Sequence, residues 1–82
     1  MNQDEIYRVL TGVFRDLFDD ENIVLSPTMD ADDIADWDSL AHINLIVAIE
    51  SRFRIKFKTS EVEGMHNVGH LVEAIVRKQA AQ

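Results

Sequence analysis

Apolar residues recur at spacings of three and four along three stretches of this chain, and this periodicity restricts its fold more than any other feature. The stripe in residues 3–18 consists of Ile6, Val9, Leu10, Val13, Phe14, Leu17 and Phe18. The stripe after Asn67 consists of Val68, Leu71, Val72, Ile75 and Val76. Residues 39–53 carry the third pattern. Each pattern predicts an α-helix, with Asn2 and Asn67 as N-caps of the first and last.

The segments between these helices are predicted to hold no strand. Ser26 followed by Pro27 blocks helix continuation, so residues 19–38 form a long loop with room for one short helical turn between residues 30 and 37. Residues 52–58 alternate basic and apolar side chains. One isolated strand cannot form a sheet, so this segment is predicted to be a loop with its apolar side chains inward. Residues 60–63 have a capping-box pattern and open a short helix that ends at Gly64. The sequence therefore predicts an all-α four-helix bundle, three helices long and one short, with a long first loop.

Size and composition exclude several classes of protein. The 82 residues predict a single domain, residues 1–82, too small for a deep catalytic cleft. The chain has no Cys, which excludes disulfides, thiolate metal sites and a cysteine nucleophile. No apolar run is long enough to span a membrane, and no signal peptide is visible. A monomer in the cytoplasm is expected.

Charge is distributed unevenly along the chain. Residues 1–51 carry twelve acidic and two basic side chains, a net charge of −10, whereas residues 52–82 carry three acidic and six basic ones, a net charge of +3. The acidic majority argues against nucleic acid and anionic membranes as partners. It favours partners with basic docking surfaces.

The second predicted helix is apolar on nearly all sides. One stripe can face the core and consists of Leu45, Ile46, Ile49 and Phe53. Leu40, Ile43 and Val47 form a second stripe, which has no obvious burial role and follows directly after Ser39. Such a helix in so small a protein requires a second surface to cover it.

The sequence Asp36-Trp37-Asp38-Ser39-Leu40 places a serine hydroxyl where an acidic loop becomes a helix. Ser39 is predicted to be the N-cap of that helix. A helix N-terminus has unpaired N–H groups and a partial positive charge, so a phosphate ester on Ser39 would lie in a favourable field.

Other chemistry has less support in the sequence. A hydrolase built on Ser39 and His42 would lack the nucleophile elbow and oxyanion hole, so no catalytic residue is expected, and His42 is interpreted as a helix-surface residue. A calcium loop starting at Asp30 fails because Ala35 replaces the required Gly. A zinc site at His66 and His70 is disfavoured because the Asn67 cap leaves His66 outside the helix, so no metal site is expected.

The triplet Asp38-Ser39-Leu40, the acidic charge, the long first loop and the order of helices resemble the acyl carrier protein family. The resemblance implies that Ser39 carries 4′-phosphopantetheine and that Asp38 assists the phosphopantetheinyl transferase. It also implies a docking face of Leu40, Ile43 and Val47, with Glu50 as an acidic contact. Ile46, Ile49, Phe57 and Val62 would line a shelter for a short acyl chain. Such a protein is not an enzyme; it presents acyl or aminoacyl thioesters to acyl-activating, acyl-transferring and condensing enzymes.

The chain departs from the fatty-acid type of carrier in two places. Ala41, His42 and Asn44 occupy positions near Ser39 where acidic residues are usual, and the loop at 52–58 is basic. The start Trp37-Asp38-Ser39-Leu40 resembles carriers of specialised biosynthesis more than housekeeping ones. The alternative is a cofactor-free interaction module that binds a partner through the same exposed face.

Overall fold

The protein folds into four α-helices in a computed structural model that describes residues 2–81. Helix α1 spans Gln3–Phe18, α2 spans Ser39–Phe53, α3 spans Thr59–Glu63 and α4 spans Val68–Ala80. No strand occurs within residues 2–81. The predicted all-α bundle of three long helices and one short helix is therefore confirmed.

The ends of the helices follow from local side-chain chemistry. The side chain of Asn2 accepts a hydrogen bond from the Glu5 N–H at 2.9 Å, and Asn67 accepts one from the His70 N–H at 2.8 Å. Both predicted caps are thus confirmed. Helix α3 begins one residue before the predicted Ser60, because Glu61 accepts the Lys58 N–H at 2.7 Å and so starts the turn earlier.

A single hydrophobic core lies between the three long helices. Its fully buried side chains are Ile6, Leu10, Phe14, Leu45, Ile49, Val68, Leu71, Val72 and Ile75. Helix α1 contacts both α2 and α4. The loop at 19–38 adds Ile23, Ile34 and Trp37 to this core. Burial of these apolar surfaces is the main stabilising term, because no disulfide is available.

The first loop is held against the N-terminus of α4. The Val68 N–H donates to the Met29 carbonyl at 2.8 Å, and the Gly69 N–H donates to the Pro27 carbonyl at 2.9 Å. These loop carbonyls satisfy N–H groups that have no partner within the helix. The segment at 30–37 forms hydrogen-bonded turns, in which the Asp33 N–H donates to the Asp30 carbonyl and the Trp37 N–H donates to the Ile34 carbonyl.

The connection from α2 to α3 has the predicted arrangement of side chains. Ile55 is buried and Phe57 half-buried, whereas Lys56 and Lys58 are exposed. A carboxylate oxygen of Glu50 accepts the Phe57 N–H at 2.8 Å and ties this loop to α2.

Two glycines give a matched test of the packing between α4 and the first loop. A Cβ added at Gly69 would lie 2.9 Å from the Pro27 carbonyl oxygen, whereas one added at Gly12 meets nothing within 4 Å. We expect Gly69→Ala to lower the free energy of unfolding by about 1–3 kcal/mol through overpacking. Gly12→Ala should raise it by about 0.5–1 kcal/mol through helix propensity. Urea denaturation of both variants measures the difference, and a stabilised Gly69→Ala would contradict this packing.

In the part of the chain that the structure describes, no helix combines the length and apolarity needed to cross a membrane.

Candidate functional site

Helix α2 begins with a cap that differs from the predicted one. Asp38 is the N-cap: its Oδ1 accepts the Ala41 N–H at 2.8 Å, and its carbonyl accepts the His42 N–H at 2.9 Å. Ser39 is therefore the first helical residue and not the cap, because the carboxylate of Asp38 already satisfies the N–H that a serine cap would take. Ser39 is exposed, and no residue among 2–81 hydrogen-bonds to its hydroxyl.

The electrostatic environment of Ser39 suits an attached anion. Ser39 lies at the positive end of the α2 dipole, and the first turn of α2 contains no acidic residue. The side chain of Asp38 accepts only the Ala41 N–H, so the field of the other N–H groups at the start of the helix extends to Ser39. A phosphate ester on the Ser39 oxygen would be stabilised by this field.

The turn that carries Ser39 is anchored by Trp37. This indole is buried and lies edge-on to Phe14, with ring centroids 5.2 Å apart, and beside Phe18 at 6.4 Å. Two rings of α1 thus fix the backbone immediately before the cap.

His42 occupies a position that the sequence analysis missed. The sequence predicts a position on the helix surface, but His42 is half-buried. Its ring stacks on Trp37, with ring centroids 6.0 Å apart and 20° between the ring planes. The Trp37 Nε1–H donates to His42 Nδ1 at 3.1 Å. Burial lowers the pKa of His42, and the charge of His66 adds to this effect, while a hydrogen bond to the backbone of Val62 opposes it. Trp37 and His42 are five residues apart, and the start of α2 lies between them. This spacing follows neither helical nor strand periodicity, so no pattern in the sequence indicates their contact.

An open groove of about 520 Å³ runs from Ser39 between α2 and α3. Its walls are Ala31, Trp37, Asp38, Ser39, His42, Ile43, Val62, Glu63, Met65 and His66. The structure thus brings three of the candidate residues, Asp38, Ser39 and Ile43, to one groove. Ile46 and Ile49 are buried in the core, Phe57 and Val62 pack against it, and Val62 also lines this groove. A shelter for an acyl chain formed by these four residues stays a prediction.

The second apolar stripe of α2 is exposed to solvent. The exposed fractions are 67% for Leu40, 57% for Ile43 and 59% for Val47, so these side chains contribute little to the core. Glu50 lies half-buried one turn beyond Val47, and one of its oxygens is already bonded to the Phe57 N–H. Partner binding by these four residues stays a prediction.

The two histidines before and within α4 form a local hydrogen-bond pair. His70 Nδ1 accepts the His66 N–H at 3.1 Å, and the His70 N–H donates to Asn67. The Nδ1 atom of His70 is therefore occupied in holding the helix start. Within residues 2–81, no group of three or more His, Cys, Asp or Glu side chains is placed to hold a metal ion.

Comparison with known proteins identifies the family of this protein. The chain is similar to a holo acyl carrier protein from Geobacter metallireducens whose structure was solved in solution by NMR. The two are 44% identical, with a TM-score of 0.86 over 92% of this chain and 86% of the other. No family model and no curated protein matches.

This degree of similarity, over nearly the whole of both chains, shows that the chain belongs to the acyl carrier protein family. The family predicted from Asp38-Ser39-Leu40 is therefore confirmed. The protein is a carrier of acyl groups and not an enzyme, and its partners are biosynthetic enzymes.

Proposed function

We propose that the hydroxyl of Ser39 is the attachment point of 4′-phosphopantetheine and that the arm presents acyl or aminoacyl thioesters to partner enzymes. The observation that carries this proposal is the free, exposed hydroxyl of Ser39 at the first position of α2. The similar protein from Geobacter metallireducens is described as a holo acyl carrier protein, which agrees with a covalently loaded site.

The residues around Ser39 fit such a group. The helix start favours the phosphate, the first turn of α2 adds no carboxylate beyond that of the Asp38 cap, and the groove between α2 and α3 gives the arm a surface to lie on. When bound, the arm supplies the thiol that the chain, having no Cys, lacks. The protein itself orders the attachment point through the Asp38 cap and the buried Trp37.

The exposed stripe of Leu40, Ile43 and Val47 serves as the docking face in this proposal. It starts beside Ser39, so a partner seated on it lies within reach of the arm. Glu50 is assigned as an acidic contact at the far end of this face. The partners are a phosphopantetheinyl transferase and acyl-activating, acyl-transferring and condensing enzymes. A modest, transient interface is expected, because the carrier must leave each partner in turn.

Specialised biosynthesis suits this carrier better than housekeeping fatty-acid synthesis. Ala41 and Asn44 stand near Ser39 where acidic residues are usual, and the exposed Lys56 and Lys58 make the next loop basic. Docking then depends more on apolar contact than on charge. Residues 1–82 act as one monomeric domain, in agreement with the net charge of −7, and the lack of Cys suits the reducing cytoplasm.

Intact-mass measurement after incubation with coenzyme A and a broad-specificity phosphopantetheinyl transferase tests the proposal. We expect a gain of one phosphopantetheinyl group per chain. No gain with several transferases would contradict it and would favour a cofactor-free interaction module.

Substitution of Asp38 separates its role as the N-cap of α2 from its proposed recognition by the transferase. Asp38→Asn keeps a capping oxygen, whereas Asp38→Ala removes it and should lower the free energy of unfolding by about 1 kcal/mol. If the transferase also recognises the carboxylate, both variants should be loaded about tenfold more slowly, the effect of losing one charged contact. Loading rates and urea denaturation measure the two roles independently. Loading of Asp38→Asn at the wild-type rate would restrict Asp38 to capping.

A further inference from the structure

We propose that Glu61 in α3 and Lys78 in α4 are positioning residues whose ion pair, the α3 latch, holds α3 in place as the groove wall that faces Ser39. The Lys78 Nζ lies 2.8 Å from the Glu61 Oε1. The same oxygen accepts the Lys58 N–H at 2.7 Å. One carboxylate oxygen therefore joins the start of α3 to the last turn of α4.

Helix α3 depends on contacts from outside its own sequence. It has five residues, and none of its side chains is buried. Its turns are closed by local bonds, in which the Val62 N–H donates to the Lys58 carbonyl and the Met65 N–H donates to the Val62 carbonyl. Isolated helices shorter than about 12 residues are marginal in water. The half-buried Val62, which packs against the core, and the α3 latch are two contacts that hold this helix in place.

An open cleft of about 280 Å³ separates α3 from α4. Its lining residues are Ser60, Glu61, Gly64, Met65, His70, Glu73 and Arg77. Most of these side chains are polar, so water can enter the cleft. Burial of apolar surface therefore contributes little to the attachment of α3 along this cleft, and the ion pair of Glu61 with Lys78 connects the two helices there.

The geometry of the α3 latch distinguishes it from the ion pair of Arg52 with Asp16. The exposed fractions of the side chains are 25% for Lys78 and 28% for Glu61, against 51% for Arg52 and 82% for Asp16, whose charged atoms are 3.8 Å apart. Salt and water screen a partly buried pair less than an exposed one. The hydrogen bond from Lys78 lowers the pKa of Glu61, so this carboxylate is charged at neutral pH.

The consequence for the carrier rests on the proposed function of Ser39. Val62 follows Glu61 directly and lines the groove that begins at Ser39. Met65 lines both this groove and the cleft between α3 and α4. Residues 61–65 therefore form the partition between the two spaces. The latched helix gives the arm a defined wall, whereas an α3 that moved away would open the groove towards the cleft.

Hydrogen exchange of the backbone amides, measured by nuclear magnetic resonance on the full chain, tests the α3 latch. Lys78→Met removes the charge but keeps a long side chain of high helix propensity. We expect the protection of the Val62 and Met65 amides to fall about threefold to fivefold, the upper part of the range for a single ion pair, with no change at Leu71 in α4. Concentrated sodium chloride should lower the same protection in the wild-type chain but not in Lys78→Met.

Two further variants separate the ion pair from effects of charge and packing in general. Arg77→Met removes the same charge from the same turn of α4 and should leave the protection of α3 unchanged. Glu61→Gln keeps an oxygen for the Lys58 N–H but loses the charge, so adding it to Lys78→Met should loosen α3 no further. Wild-type protection in Lys78→Met, an equal loss in Arg77→Met, or a double variant whose effects multiply would each overturn the latch.

A fluorescent arm tests whether the α3 latch fixes the groove. The probe is dansyl-pantetheine, joined to Ser39 from dansyl-labelled coenzyme A by the broad-specificity transferase. Because dansyl emits at longer wavelength in more polar surroundings, we expect Lys78→Met to emit closer to the free probe in water, and Arg77→Met to emit like the wild type. Equal emission from all three chains would overturn the role of the latch in the groove. Failure of every transferase to load the wild-type chain would instead contradict the assignment of Ser39, and amide exchange would still decide the latch.

Discussion

Replacement of Ser39 by alanine is expected to abolish the attachment of 4′-phosphopantetheine completely while leaving the fold intact. The phosphopantetheinyl group would be joined through the Ser39 oxygen, and alanine has no atom to replace it. The fold should tolerate the change because the side chain is exposed, and because Asp38, not Ser39, caps α2. Alanine also favours a helical position, so a change in the free energy of unfolding within about 0.5 kcal/mol is expected. Intact mass and urea denaturation check the two halves of this prediction.

Ser51→Ala is the matched control. Ser51 is also an exposed serine of α2, but it lies at the opposite end of the helix from Ser39. The Ser51→Ala chain should gain one phosphopantetheinyl group at the wild-type rate. A loaded Ser39→Ala chain would show that another hydroxyl is the attachment point, and the proposed carrier site would then be wrong.

The helices and the core were accessible from the sequence because their signals are local. Residues at spacings of three and four on one helix must share a face, and Asn2 and Asn67 cap helices by hydrogen bonds three residues away. The exposed face of α2 was also predictable, because this helix has two apolar stripes and only one of them can face the core. Leu40, Ile43 and Val47 are the residues left over.

The sequence-based predictions were wrong or incomplete in two situations. In one, two neighbouring residues could both cap a helix; in the other, a contact joins segments that are distant in the sequence. Asp38 and Ser39 are both strong capping residues, and periodicity does not decide between neighbours. The structure assigns the cap to Asp38, and this choice frees the serine hydroxyl. The bond from Trp37 to His42 and the tie from Gly69 to Pro27 depend on the path of the loop, which no repeat in the sequence specifies.

Replacement of Val47 by glutamate is expected to weaken docking of the transferase with no loss of stability. Val47 is 59% exposed in the middle of the apolar stripe, so a glutamate there remains solvated in the free protein. In the complex the same carboxylate would be buried against an apolar partner surface without a counter-ion. We expect Val47 to act as one of the few hot-spot residues that cluster at the centre of an interface, and its loss then costs about 2 kcal/mol, which corresponds to about a thirtyfold fall in kcat/KM for loading. Rates of mass gain at several carrier concentrations measure this value.

The matched control for Val47→Glu is the same substitution at a second exposed valine, Val76. Val76 in α4 is 41% exposed and lies outside the docking face, so Val76→Glu adds the same charge to the same net-negative chain. If docking depended mainly on overall charge, both variants would change loading equally. We expect the transferase to load Val76→Glu at nearly the wild-type rate and to load Val47→Glu much more slowly. Equal rates for the two would contradict the docking face and would leave the exposed stripe of α2 without a role in loading.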